Sequence, residues 1–367
     1  MRDPRVTGLA QILVRHSTAV KPGDVCLIEG ESEGEPLLQA IYEEVLAAGG
    51  HPVVNMALAE QASAFFRQGS DEQLEWISPV SKWAVENADC RFAVMAKSNV
   101  RDLASVDPAR QAVRRRAMAP LMARSMERSA AGEYRWALTL FPTNAYASEA
   151  GMSISEYEDF YYGACLADAP DPVGAWAQAS DDVRRLADWI EGREEVHITG
   201  PGTDLRLGIG GRTFIAADGH HNMPDGEFFT GPVEDSANGE ITFHLPSTYA
   251  GNEVAGVWFR FDGGKVVDAR AERGEEFLIS MLDTDEGARR LGELGIGTNF
   301  AIEKGTKEIL LDEKIGGTVH LALGRSYPET GGTNESALHW DMICDLRRGG
   351  EITVDGETLQ RDGEFVV

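Results

Sequence analysis

The chain has 367 residues, 43% of them hydrophobic, enough for real cores, and its length suggests about two domains. Sixty acidic against 34 basic residues give a formal net charge of −26, which repels phosphate backbones and anionic headgroups and argues against nucleic-acid or membrane partners. No apolar run approaches membrane-spanning length, and Met1-Arg2-Asp3-Pro4 opens without the apolar stretch of a signal peptide.

Cys26, Cys90, Cys165 and Cys344 are scattered, with no C-x-x-C pair. They read as small buried hydrophobes of a reducing, cytoplasmic compartment.

Taken in order, residues 1–192 read as alternating helices and strands. Leu9 to Arg15 has helical spacing, and Asp24 to Glu29 follows a Pro-Gly turn as a buried strand. Pro36 opens a helix with a stripe of Leu37, Leu38, Ile41, Val45 and Leu46, ended by Gly49-Gly50. Strands at His51–Leu58, Arg91–Ala96 and Trp136–Phe141 alternate with helical stretches at 72–88 and 108–130. The alternation predicts an α/β domain with a mostly parallel sheet. Gly30 to Glu35 has glycines at the wrong spacing for a dinucleotide fingerprint, and its three acids would repel a pyrophosphate. Ser153–Cys165 and Pro172–Ile190 are further helices.

From residue 193 to 367 helices thin out and short strands with Gly, Asp and Asn turns dominate. This half is expected to be α+β and mostly antiparallel. Glu253–Phe261 and Lys265–Ala271, joined by Asp262-Gly263-Gly264, read as one hairpin.

Four segments of this half carry chemistry. Ala337 to Leu346 reads as a strand entering a hairpin at Arg347-Arg348-Gly349-Gly350, with His339 and Asp341 on one face and Trp340 and Met342 on the other. That pair suits a metal ion or a plain His–Asp hydrogen bond. Cys344, an odd number of steps from both, points away from them. His320 lies inside an apolar strand, where it is a core residue or a ligand, and Tyr327 follows in a Gly/Pro-rich loop. Glu293 sits amid Gly and Leu, so it needs a cation or hydrogen bonds if buried. Glu227 closes the polar loop His220 to Glu227, in which adjacent His220 and His221 cannot both face one ion. Three or more carboxylates and two imidazoles exceed one catalytic ion's usual three protein ligands and suit two divalent ions about 3.5–4 Å apart with one bridging carboxylate. No Ser-His-Asp or Cys-His hydrolase motif is evident.

Asn222 to Glu227 with Pro232 to Ser236, then Glu293 to Gly297, then His320, Tyr327 and His339-Trp340-Asp341 closely resemble the M29 (thermophilic) family of metalloaminopeptidases. Val20 to Asp24 extends the likeness to the first half, so it covers nearly the whole chain. The resemblance implies metal ligands at Glu227, Glu293, His320, His339 and Asp341, with Glu313 a further ligand or the catalytic carboxylate. The spacing from Glu313 to His320 departs from the family pattern by being longer. Tyr327 matches an active-site tyrosine placed to donate to an oxyanion. Implied too are two divalent ions (Zn, Co or Mn), peptide substrates with a free N-terminus, and a homodimer.

The rival is a mononuclear non-haem iron, ring-cleaving dioxygenase using His320, His339 and Asp341 as a facial triad. Pyridine-ring dioxygenases resemble this fold but carry a histidine where Glu293 stands, so Glu293 and Glu227 favour hydrolysis. A non-catalytic metal-binding scaffold is the third reading.

Overall fold

A computed structural model describes residues 3–367; Met1 and Arg2, which open the stretch tested for a signal peptide, lie outside the described residues. The chain divides into two compact units, Met1–Ala177 with Gly219–Pro224, and Gln178–Asp218 with Asp225–Val367.

The first unit holds a parallel sheet in the order His51–Ala57, Val25–Glu31, Cys90–Met95, Arg135–Leu140, with the short strand Asn222–Met223 at its end. Its strands bury Cys26, Ile28, Phe92, Val94, Ala137 and Leu140. Helix Glu35–Ala47 begins with Pro36, whose missing N–H costs nothing in a first turn. It buries Leu37, Leu38, Ile41 and Val45, each worth about 1.5–3 kcal/mol. Leu46 departs from the expected stripe and is 53% exposed, since one residue past Val45 the helix has turned by about 100°. Gly49 follows at φ +83°, the left-handed conformation that ends a helix cheaply. Glu31, one of the acids set against a nucleotide site, accepts from the Ala96 backbone N–H at 2.7 Å.

In the second unit an eight-stranded and a five-stranded sheet, both antiparallel, share one hydrophobic core. Val183, Leu186, Ala187 and Ile190 of helix Pro172–Ile190 complete that core. The five-stranded sheet runs His339–Asp345, Thr318–Gly324, Leu291–Gly297, Glu227–Thr230, Ile215–Ala217. α/β and antiparallel α+β units are thus both present.

Two local expectations need correction. Strand His339–Asp345 forms no hairpin with the next strand, Glu351–Val354: it pairs with Thr318–Gly324, while Glu351–Val354 joins the other sheet beside Glu195–Gly200. A turn signal gives the reversal, not the partner. Glu253–Phe261 is also not one strand. Asn252–Val254 pairs with Ser247–Tyr249, and only Val257–Asp262 forms the hairpin with Lys265–Arg270, because Gly256 at φ +62° breaks the extended run.

Candidate metal centre

The five-stranded sheet presents its polar groups on one face. Side chains alternate, so Trp340, Met342 and Cys344 enter the core while His339 and Asp341 face the other way. On at least one side, register places a small residue opposite each candidate ligand of this sheet. Glu227 faces Gly297, His320 faces Gly295, Glu293 and Asp341 both flank Ala322, and His339 faces Gly324. The imidazole of His320 lies over Gly295 so closely that a Cβ there would overlap its Cε1 and Nε2.

Glu227, Glu293 and His320 are buried, at 5%, 5% and 1% exposure. Glu227 Oε2 is 3.5 Å and Glu293 Oε1 3.4 Å from His320 Nε2. On its other side Glu293 Oε2 is 3.5 Å from His339 Nε2, which lies 3.6 Å from Asp341 Oδ2. The result is an alternating row of carboxylate and imidazole. Glu293, His339 and Asp341 each bring a ligand atom within 4.8 Å of the others. His339 donates from Nδ1 to the Arg325 carbonyl at 2.9 Å, which leaves the Nε2 lone pair for the site.

These gaps are long for N–H···O hydrogen bonds. They match the edge of a tetrahedron whose bonds are about 2.0–2.2 Å, about 3.3–3.6 Å, the spacing of ligand atoms around zinc-like ions. Glu227 Oε2 and His320 Nδ1 are buried without a hydrogen-bond partner. The donor set therefore fits divalent cations.

Electrostatics agree. Burial pushes the Glu227 carboxyl up to about 8 and, with Glu293 beside it, that of Asp341 up to about 6. Burial would lower His320, but Glu293 and Glu227 outweigh it and raise the imidazole to about 10.

Tyr327 is 40% exposed, yet desolvation around its ring and then Glu293, Asp341, Glu313 and Glu227 push its hydroxyl up, keeping it a donor. Its ring stands edge-on to His339 and tilted on Phe229, with centroids 5.4 Å apart in both pairs. Glu313 follows the short helix Ile309–Asp312 and accepts from Lys314. Neither Lys314 nor the small residues stood out in the sequence; the alternation Glu293-x-Gly295-x-Gly297 and His320-x-Ala322-x-Gly324 was the available signal. His220 and His221 belong to the first unit, where they pack on His16 and Trp136, with centroids 4.7 Å apart in each pair.

The family model described as thermophilic metalloprotease (M29) matches residues 2–365. The chain belongs to the M29 family. Among curated members, aminopeptidase 2 of Geobacillus stearothermophilus is 27% identical over 97% of this chain and 96% of its own length. Aminopeptidase T of Thermus thermophilus is 27% identical over 98% of both. The solved structure of wild-type AmpT from Thermus thermophilus superposes with a TM-score of 0.84 at 25% identity, covering 99% of each chain. This M29 chain is a metal-dependent hydrolase of the aminopeptidase type. A 2,5-dihydroxypyridine dioxygenase from Pseudomonas putida shares the fold, with a TM-score of 0.60 and 13% identity over 99% of this chain and 97% of that one. Among the described residues no helix is long and apolar enough to cross a membrane.

Proposed function

We propose that this M29 chain releases the N-terminal residue of peptides, with two divalent ions held by one row of side chains. Glu227, His320 and one oxygen of Glu293 would hold the first ion; the other oxygen of Glu293, His339 and Asp341 would hold the second. The observation that carries this reading is the Glu293 carboxylate, divided between two imidazoles at 3.4 and 3.5 Å. Charge agrees: Asp225, Glu227, Glu293, Glu313 and Asp341, all ionised, with Lys314 leave four net negative charges, the charge of two dications.

Zinc, cobalt or manganese ions bound here would supply Lewis acidity, lowering the pKa of a water and polarising a carbonyl. The chain's own groups do the rest. The carboxylate wall attracts the α-ammonium of a free N-terminus, which gives exopeptidase selectivity. Glu313 takes a proton from the attacking water on the oxygen that Lys314 does not engage, and returns it to the amine nitrogen as the C–N bond breaks. Tyr327 donates a hydrogen bond from its hydroxyl to the developing oxyanion. We extend the proposal to a homodimer in the cytoplasm. The family resemblance supports the dimer, and four buried free cysteines suit a reducing compartment.

The test is metal content per chain with release of an aminoacyl chromophore, after chelation and re-addition of Zn, Co or Mn. About two ions per chain and metal-dependent release are expected. A single iron with oxygen uptake and ring opening of a hydroxypyridine would instead assign His320, His339 and Asp341 to a dioxygenase centre.

A further inference from the structure

Lys314 is the one large charged side chain among the most deeply buried of the described residues, at 0% exposure. Burying an ammonium is costly unless it is paired, and the identity of its partners shows its role. All three are carboxylates: Glu227, a candidate ligand of the metal centre, Glu313, the candidate catalytic carboxylate, and Asp225, two residues before Glu227. Lys314 Nζ donates to Glu313 Oε1 and lies 3.6 Å from Glu227 Oε1 and 3.9 Å from Asp225 Oδ1. Glu227 is thereby divided, with Oε1 towards Lys314 and Oε2 towards His320 Nε2 at 3.5 Å.

The backbone around Lys314 is fixed as well. The Asn299 backbone N–H donates to the Lys314 carbonyl at 3.0 Å, and the Asn299 side chain donates to the Asp225 carbonyl at 2.9 Å. One residue thus ties together both segments that bring charge to Glu227. Gly297, opposite Glu227, leaves no room for a Cβ against the Ile315 carbonyl and the backbone of Lys314.

We infer that Lys314 is a positioning residue of the metal centre: a built-in cation that aims one oxygen of Glu227 at the ion beside His320, orients Glu313, and sets the net charge the site offers its ions. The inference rests on the two-ion reading of the site. Without the ammonium, Glu227 loses what divides its oxygens and can turn both towards one ion. The site also gains one net negative charge, which by itself favours cations, so weaker binding on removal of the ammonium reports lost aim of Glu227 and not lost charge.

The experiment uses full-length protein stripped with chelator and titrated calorimetrically with Zn2+, with Co2+ absorption as a second readout of coordination. Lys314→Met keeps the length and removes the charge; Lys314→Arg keeps the charge and alters its geometry. Affinity about 10–100-fold weaker for at least one ion, with a changed cobalt spectrum, is expected for Lys314→Met, and partial rescue for Lys314→Arg. A cycle with Glu227→Gln decides how the effect travels. If Lys314 acts through Glu227, adding Lys314→Met to Glu227→Gln weakens binding much less than it does alone. Wild-type affinity and an unchanged cobalt spectrum in Lys314→Met, or full additivity in the cycle, would overturn the inference. If Lys314→Met does not fold, Lys314→Gln, which also removes the charge, carries the test, and an unchanged affinity and spectrum there overturns it equally. Failure of the wild-type protein to bind Zn2+ would be a different result, overturning the metal-centre reading itself.

Discussion

Glu293 offers one carboxylate oxygen to His320 and the other to His339, at 3.4 and 3.5 Å, from a strand whose neighbour carries His320 directly opposite Gly295. Among the described residues, Glu293 alone pairs with both imidazoles of the row. Glu293→Gln is expected to bind one ion or none, and to lose activity by about 10³-fold or more while its circular dichroism stays native. Metal analysis and chromophore release check this together; two tightly bound ions in the variant would refute the bridging role.

Gly295→Ala tests the cradle. The added Cβ overlaps the His320 ring, so either the imidazole turns from the site or the two strands part. The expected outcome is a loss of about 1–3 kcal/mol in stability and a larger loss of metal affinity. Denaturant melts and zinc titration measure the two separately, and normal zinc affinity would show that His320 is not held as described.

Tyr327→Phe removes a hydroxyl while keeping the ring against His339 and Phe229. Metal content and KM should stay near wild type while kcat falls about 10²-fold. A drop in KM-linked binding with unchanged kcat would mean that the hydroxyl holds substrate and not the oxyanion.

Chelation should lower stability as well as activity. Ions that bind only the folded chain add about 2.7 kcal/mol per site at a free concentration of 100 Kd. Differential scanning with and without chelator should therefore show a melting point several degrees lower, restored by Zn, Co or Mn.

In the first unit, Asp24 accepts from the Lys21 N–H at 2.7 Å and from Arg135 at 2.6 Å. Burial acts to raise its carboxyl, but these donors outweigh it and hold it below its ordinary 3.8. A lowered folded value means that the stabilisation is present above about pH 4 and is lost as pH falls through that folded value. Asp24→Asn should cost about 1–2 kcal/mol at pH 7. The two proteins should converge in acid melts as the pH falls below the folded value; a constant gap would remove ionisation as the cause.

The sequence by itself determined much of this. Alternation of apolar runs and helical stripes gave the parallel unit, because a strand or helix buried on one face must repeat with the period of its own geometry. The same rule put His339 and Asp341 on one face, as they are in the structure, since strand alternation is local. Acids and histidines set in apolar or Gly-rich segments marked the candidates along the chain, and the resemblance to the M29 family implied the ligand set. Tertiary structure alone decided which of them meet. His320 in its apolar strand read more readily as a core residue than as a ligand until antiparallel pairing laid it between Glu227 and Glu293, and Glu253–Phe261 read as one strand until Gly256 broke it. Lys314 looked like one more charge after Glu313, and only packing turned it inward onto Asp225 and Glu227. The tautomer of His339 depended on a carbonyl 14 residues away. Pairing partners and buried charge are set by contacts between segments distant along the chain, and no local period encodes them.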